Sequence, residues 1–226
     1  MSFLDVNHRP DLARRREVIA TAIKMNALGI NQGKSGNVSV RVDGGFLITP
    51  TGVPYEETKP EQIVAMRMDG TFDGDTLPSS EWRFHRDIYV SREEVSAIVH
   101  THSAFATTIA CLAQDIPAFH YMIAIAGGKD IRCAPYATFG TQQLSDHALA
   151  ALQGRHACLL AQHGMIALGP SLPRALAMAV EVESLARMYW QTLQIGKPAL
   201  LADSEMATVL DKFETYGQQA LKPPLA

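Results

Sequence analysis

"VSAIVHTHSAFATTIACLA", residues 95–113, decides how this chain is organised. Val95 to His102 reads as a buried strand, and Ser103 to Ala113 as the helix that follows it. The strand ends on two histidines with one residue between them. Successive side chains of a strand alternate faces, so His100 and His102 share a face, about 6–7 Å apart along the strand, with Thr101 on the other. Two imidazoles projecting from one rigid element suit a zinc ion, which takes ring nitrogen at about 2.0–2.1 Å. Two partly buried histidines, each hydrogen-bonded to a neighbour, fit the same pattern. A third ligand, a base and a substrate pocket are what separate the two readings.

Working outward toward the N-terminus, Leu12, Val18, Ile19, Ala22, Ile23 and Leu28 recur at helical spacing, and Gly29 supplies a stop. "NQGKSGN" (31–37) is a polar loop. "VSVRV" (38–42), "DGG" and "FLITP" (46–50) give a hairpin signal, and "IVAMRMDGTFDG" a strand with a turn at Asp69-Gly70. "LPSSEWRFHRDIYVSR" opens on a serine pair able to cap a helix and then turns amphipathic. Toward the C-terminus, "HYMIAIAGGKDIRCAPY" (120–136) is expected to hold strand segments around its double glycine. "TQQLSDHALAALQG" is a helix closed by Gly154, and "HACLLAQHGMIALG" (156–169) two apolar strands broken at His163-Gly164. "PRALAMAVEVESLARMYWQTLQ" is one long helix, and "SEMATVLDKFETYG" a last helix ending at Gly217. Helices and strands alternate with no linker, repeat or low-complexity segment apart from the tail "LKPPLA". That favours one α/β domain over residues 1–226 with a largely buried sheet.

Composition narrows the functional classes. The net charge of −3 and the lack of a basic run argue against nucleic acid. Cys111, Cys133 and Cys158 are an odd, scattered set without C-x-x-C, which fits a reducing compartment. "MSFLDVNHRPDLARRRE" carries charges where a signal peptide needs an apolar run, and no clean span of about 20 apolar residues exists. The expectation is a cytoplasmic protein without a membrane partner. There is no G-x-G-x-x-G after a strand and no G-x-x-x-x-G-K-[ST], so nucleotide folds have little support.

His163 falls at a bend between two apolar strands, where a histidine is often structural; beside H-x-H it becomes the natural third ligand. Three protein ligands leave an open position, the catalytic arrangement. Glu81 follows the serine pair. A glutamate in the first turn of a helix is ordinarily a favourable dipole placement. Facing a metal it would be a general base, and burial would raise its pKa toward neutrality. "SGN" (35–37), "TPTG" (49–52) and "PSS" (78–80) each combine glycine or hydroxyl side chains in a way that can hold phosphate.

"NQGKSGNVSV", "LITPTGVPYE", "LPSSEWRFH", "HYMIAIAGG", "CAPYATFGT" and "DKFETYG", in this order, resemble the class II aldolase/adducin family over nearly the whole chain. The resemblance implies a three-layer α/β/α sandwich around a mixed, largely antiparallel sheet. It implies a C4 homotetramer with sites at subunit interfaces, and from about residue 205 a C-terminal helix and mobile tail. His100, His102 and His163 match the zinc ligands, and Glu81 an acid/base that also ligates zinc. Gly36, Asn37, Thr51, Gly52, Ser79 and Ser80 match phosphate-binding positions. Tyr121 matches a proton donor to the aldehyde oxygen, reaching in from the neighbouring subunit. Phe139 matches a wall of the aldehyde pocket, and Tyr216 a residue of the closing C-terminal segment. Each of these aromatic residues also has an ordinary packing or terminal reading. Lys34 departs from the family, whose members carry threonine there; it either strengthens phosphate binding or is a solvated lysine.

The implied reaction is metal-dependent, reversible aldol cleavage of a ketose 1-phosphate, L-fuculose 1-phosphate first among them, to dihydroxyacetone phosphate and an aldehyde such as L-lactaldehyde. 5-Deoxyribulose 1-phosphate and 5-methylthioribulose 1-phosphate are alternatives. Further alternatives are a pentose-phosphate 4-epimerase, a dehydratase or a decarboxylase on the same scaffold, or a non-catalytic adducin-like module. Zinc is favoured by ligand type, while cobalt or manganese suits the same nitrogens.

Overall fold

The strand that carries His100 is Ala97–Thr101, and every residue of it is buried; His102, expected within the strand, lies just past its end and is half-buried. In this computed structural model, which describes residues 11–214, the sheet is built on both sides of that strand. In chain order the strands are β1 (Asn37–Val42), β2 (Gly45–Ile48), β3 (Val64–Arg67), β4 (Ala97–Thr101), β5 (Cys133–Ala134), β6 (Ala157–Leu160) and β7 (Gly164–Gly169). They lie in the order β3-β2-β1-β4-β7-β6-β5, so β4 is central. That position explains why its sequence is a continuous apolar run rather than an alternating one. β5 and β6 are parallel and every other neighbouring pair is antiparallel, giving a mixed, largely antiparallel sheet.

Among the described residues six α-helices cover it: α1 (Leu12–Ala27), α2 (Trp82–Ser91), α3 (Ala104–Ala110), α4 (Gln142–Ala151), α5 (Leu172–Ile195) and α6 (Asp203–Phe213). Val38, Val40, Ala97, Val99, Met165 and Ala167 face one apolar layer with residues of α1, α3 and α5. Phe46, Ile48, Ile98, Ile166 and Leu168 face the other, with residues of α2 and α4. Adjacent residues of one strand serve opposite cores, the period-two rule applied to a sheet buried on both sides. The result is a three-layer α/β/α sandwich. Among the described residues no helix is long and apolar enough to cross a membrane.

The hairpin expected over residues 38–50 forms as β1 and β2, paired from Val42↔Gly45 to Ser39↔Ile48. Residues 120–136 differ from the strand expectation. Tyr121–Ala126 winds into a 3₁₀-helix, and only Cys133–Ala134 pairs as a strand. The reason is local: the His120 ring accepts the Met122 N–H at 3.2 Å, which starts the turn. Gly127, at φ 89°, ends it. Glu81 is the residue immediately before α2 rather than part of its first turn. The last helix stops at Phe213; Tyr216, Gly217 and the tail lie outside the described residues.

Candidate active site

The site lies where β1, β4 and β7 meet. β4 pairs with β7 through His100↔Ile166 and Thr101↔Met165, so the turn leading into Gly164 arrives beside the end of β4 and brings His163 to His102. β1 pairs with β4 through Asn37↔His100. Glu81 enters from the α2 layer, its N–H donated to the Ser79 hydroxyl at 3.3 Å. Two backbone approaches are too close for any side chain. A Cβ on Gly36 would meet the His100 carbonyl oxygen at 2.5 Å and Asn31 Oδ1 at 2.7 Å. One on Gly164 would strike the Thr101 carbonyl and come within 3.0 Å of the His102 ring.

Glu81, His100, His102 and His163 each offer a ligand atom, and these atoms lie within 4.8 Å of one another. The three rings stand as blades, each pair of centroids 4.9 Å apart with interplanar angles of 77°, 72° and 76°. His100 Nδ1 lies 2.9 Å from the Met165 carbonyl oxygen. A carbonyl only accepts, so Nδ1 holds the proton and Nε2 presents a lone pair in the neutral ring. That Nε2 faces His102 Nε2 at 3.0 Å and Glu81 Oε2 at 3.1 Å. Glu81 Oε1 stands 3.1 Å from His163 Nε2, yet finds no hydrogen bond among the described residues although it is buried. Ring lone pairs aimed at a common point, with an orphaned carboxylate oxygen beside them, form a donor set that fits a divalent cation.

Burial by itself pushes the Glu81 carboxyl up; with no metal bound, positive charge on His100 and His163, both in contact, outweighs it and holds the group well below the usual carboxylate range, whereas neutral rings that ligate a cation exert no such pull. This reverses the expectation that burial would bring it toward neutrality. Burial, then His100 and His163, push His102 down to about 4, so its ring is neutral and free to ligate near pH 7.

The three candidate phosphate stretches come together. Pro50 bridges Pro78, Thr51 N–H donates to the Leu77 carbonyl at 3.1 Å, and Ser79 N–H to the Thr49 carbonyl at 3.0 Å. Lys34 Nζ ties the first loop on by donating to the Gly52 carbonyl at 2.7 Å. Gly36 is buried, its carbonyl accepting from Tyr55 OH at 2.5 Å. Thr51, Gly52 and Ser80 are exposed, and Ser79 is buried. The Asn37 side chain lies on Glu81, donating to Oε2 at 2.9 Å.

A cleft of ≈ 330 Å³ opens over the cluster, lined by Ser80, Glu81, His102 and His163 together with Tyr136, Ala137 and Phe139. Phe139 is exposed at its rim. Tyr121 is exposed too and does not line the cleft of its own chain. A larger cavity of ≈ 490 Å³ lies at the far end of β4 and β7, lined by Val95, Leu168 and Gly169. It contains none of the four clustered residues, and ligand chemistry rather than volume selects the site. Sequence reasoning missed Tyr136 and Gln162 of the cleft and His85, which bonds Asn37 behind Glu81. A signal for His85 existed in its position four residues after Glu81, one helical turn on.

The family model for the Class II Aldolase and Adducin N-terminal domain matches residues 16–190. The chain belongs to the class II aldolase/adducin family. Within that family it is 53% identical over 212 residues to a 5-methylthioribulose-1-phosphate/5-deoxyribulose-1-phosphate aldolase of Rhodospirillum rubrum, covering 94% of this chain and 96% of the relative. It is 52% identical to the L-fuculose phosphate aldolase of Escherichia coli (strain K12), covering 89% and 94%. A solved L-fuculose 1-phosphate aldolase superposes with a TM-score of 0.86 at 40% identity, covering 91% of this chain and 97% of that one. The class II aldolase fold and lyase chemistry follow from these matches.

Proposed function

We propose that this class II aldolase cleaves a ketose 1-phosphate reversibly to dihydroxyacetone phosphate and a short aldehyde ending in a methyl group. L-Fuculose 1-phosphate, 5-deoxyribulose 1-phosphate and 5-methylthioribulose 1-phosphate share that description and differ only at the aldehyde. The observation that carries the reading is the convergence of Glu81, His100, His102 and His163 within 4.8 Å, beside the stapled 49–52 and 77–80 loops. His100, His102 and His163 hold the metal, zinc in the first instance, with Glu81 as a further ligand before substrate enters. When bound, the cation supplies Lewis-acid stabilisation of the negative charge that develops on the carbonyl side of the broken bond.

The chain's own residues do the rest. Gly36, Asn37, Thr51, Gly52, Ser79 and Ser80 form the phosphate end, remote from the bond that breaks, so they orient the substrate. Asn37 takes part through its backbone, since its side chain is engaged by Glu81. Glu81 returns a proton to C3 in cleavage and removes it in synthesis. Tyr121 of a neighbouring copy in a tetramer donates a proton to the aldehyde oxygen in synthesis. Tyr136, Ala137 and Phe139, which also line the cleft, present an apolar wall suited to a methyl or thioether.

The test is a panel of ketose 1-phosphates with enzymatic detection of dihydroxyacetone phosphate. 5-Deoxyribulose 1-phosphate should exceed ribulose 1-phosphate, which differs by one hydroxyl, by about 10- to 100-fold in kcat/KM. Failure to release dihydroxyacetone phosphate from any member overturns the reading, and an isomer as sole product makes the enzyme an epimerase.

A further inference from the structure

α2 and β1 form a polar ladder inside the core. Glu81, His85 and Tyr89 recur every four residues from the start of α2, on one face of the helix. Asn37 and Ser39 are alternate residues of β1 and share the sheet face toward α2. Four residues of helix rise about 6 Å and two residues of strand about 6.6 Å, so the two sets interdigitate. Tyr89 OH lies 2.8 Å from Ser39 Oγ, Ser39 Oγ 2.6 Å from His85 Nδ1, and His85 Nε2 2.5 Å from Asn37 Oδ1. Asn37 Nδ2 is 2.9 Å from Glu81 Oε2. All five side chains are buried.

The direction of every bond is fixed by its end. An ionised carboxylate only accepts, so the Asn37 amide must turn its NH₂ to Glu81 and its carbonyl to His85. His85 Nε2 must then carry the proton and Nδ1 the lone pair. Ser39 therefore donates to Nδ1, and Tyr89 donates to Ser39. Burial and the nearby His100 push the His85 ring down to about 3, consistent with a neutral ring having this single tautomer.

We propose that His85 is a positioning residue for the C3 proton transfer: as the middle of the chain Tyr89 → Ser39 → His85 → Asn37 → Glu81, it locks the orientation of the Asn37 amide and thereby the rotamer of the Glu81 carboxylate. Oε2 is held by the chain, and Oε1, which has no hydrogen bond among the described residues, is left as the oxygen that moves the proton. This rests on the reading of Glu81 as the base.

The experiment measures exchange of the dihydroxyacetone phosphate C3 hydrogen with D₂O by proton NMR, with metal content determined on the same samples. H85F should lose about 10- to 100-fold in exchange rate, the scale of a misplaced catalytic group, with metal per chain unchanged. H85Q keeps a donor toward Asn37 and should recover most of the rate. S39A, which removes one hydroxyl and frees the tautomer, keeps the test open should H85F not fold; it should lose about 3- to 10-fold. In metal-free protein, long-range ¹H–¹⁵N NMR should find His85 protonated on Nε2 alone. Wild-type exchange in H85F and S39A, a fall that merely tracks metal loss, or an Nδ1–H tautomer overturns the proposal. Absence of exchange in the wild-type enzyme overturns instead the reading of Glu81 on which it rests.

Discussion

Replacing Glu81 by Gln isolates the carboxylate from the rest of the site. The amide has the same shape, and its oxygen can still accept the Asn37 Nδ2–H that now reaches Oε2 at 2.9 Å. The Ser79 contact uses the backbone N–H of residue 81 and is untouched. Three ring nitrogens remain to hold a cation. What disappears is basicity: a neutral amide cannot remove a proton from C3. A positioned general base supplies about 10²- to 10⁴-fold, equivalent to about 2.7–5.4 kcal/mol at about 1.36 kcal/mol per decade. E81Q should therefore keep one metal per chain, leave KM within about twofold, because the phosphate end is remote from the carboxylate, and lose kcat by about 10²- to 10⁴-fold. Coupled detection of dihydroxyacetone phosphate gives both constants, and elemental analysis gives the metal. A variant with full metal and turnover within tenfold of the wild type would refute the assignment of Glu81.

Dialysis against a chelator should abolish cleavage and lower Tm, and added zinc should restore both; binding at a thousandfold over Kd contributes about 4 kcal/mol. Metal-free protein with unchanged Tm and turnover would remove the cluster from the mechanism. Lys34→Met should raise KM for the ketose 1-phosphate about two- to fivefold, the range of an exposed charge contact, with kcat unchanged. An unaltered KM makes Lys34 a loop tie through its 2.7 Å bond to Gly52 and nothing more. In metal-free protein, stability should fall with acidity between about pH 6.5 and pH 4.5. His85, down to about 3 in the fold, ionises near 6.5 once unfolded, so the unfolded chain binds the extra proton. Its stabilisation is complete above the unfolded pKa and lost below it, by up to about 1.4 kcal/mol per pH unit. Urea midpoints that do not change across that window would contradict a neutral buried ring.

The parts of the fold legible in the sequence are those where one local signal dominates. β4 reads as a buried strand because both faces of a central strand are apolar, and the β1–β2 turn reads from Asp43-Gly44-Gly45. Residues 120–136 were expected to hold strand segments, but a ring-to-backbone bond at His120 starts a 3₁₀-helix over Tyr121–Ala126 and leaves only Cys133–Ala134 as strand. At the site, H-x-H is a contiguous motif, and its two rings do converge, although the strand expected to run through His102 ends at Thr101. Which way Asn37 points is set by pairing across β1 and β4 and by packing under α2. A glycine-bearing loop offers no hint of either, so the contact of its side chain with Glu81 was not legible. The role of His85 was hidden for the same reason: its partners are 46 and 48 residues away in sequence.

The ladder behind Glu81 also bears on why the core tolerates it. Five buried polar side chains would be replaceable by apolar ones of similar volume at little cost, since a satisfied buried hydrogen bond contributes only about 1 kcal/mol net. Interrupting the ladder is different, because one missing partner leaves a buried donor or acceptor unpaired at about 1–3 kcal/mol. The arrangement is therefore a poor way to gain stability and an effective way to hold one geometry. Its polarity adds to this, because every donor points toward the carboxylate, and reversing any single bond would place two acceptors or two donors face to face. Stability requires none of that directionality. A carboxylate that must present one oxygen in one orientation beside three imidazoles does require it, so this buried polar ladder is accounted for by the site and not by the fold.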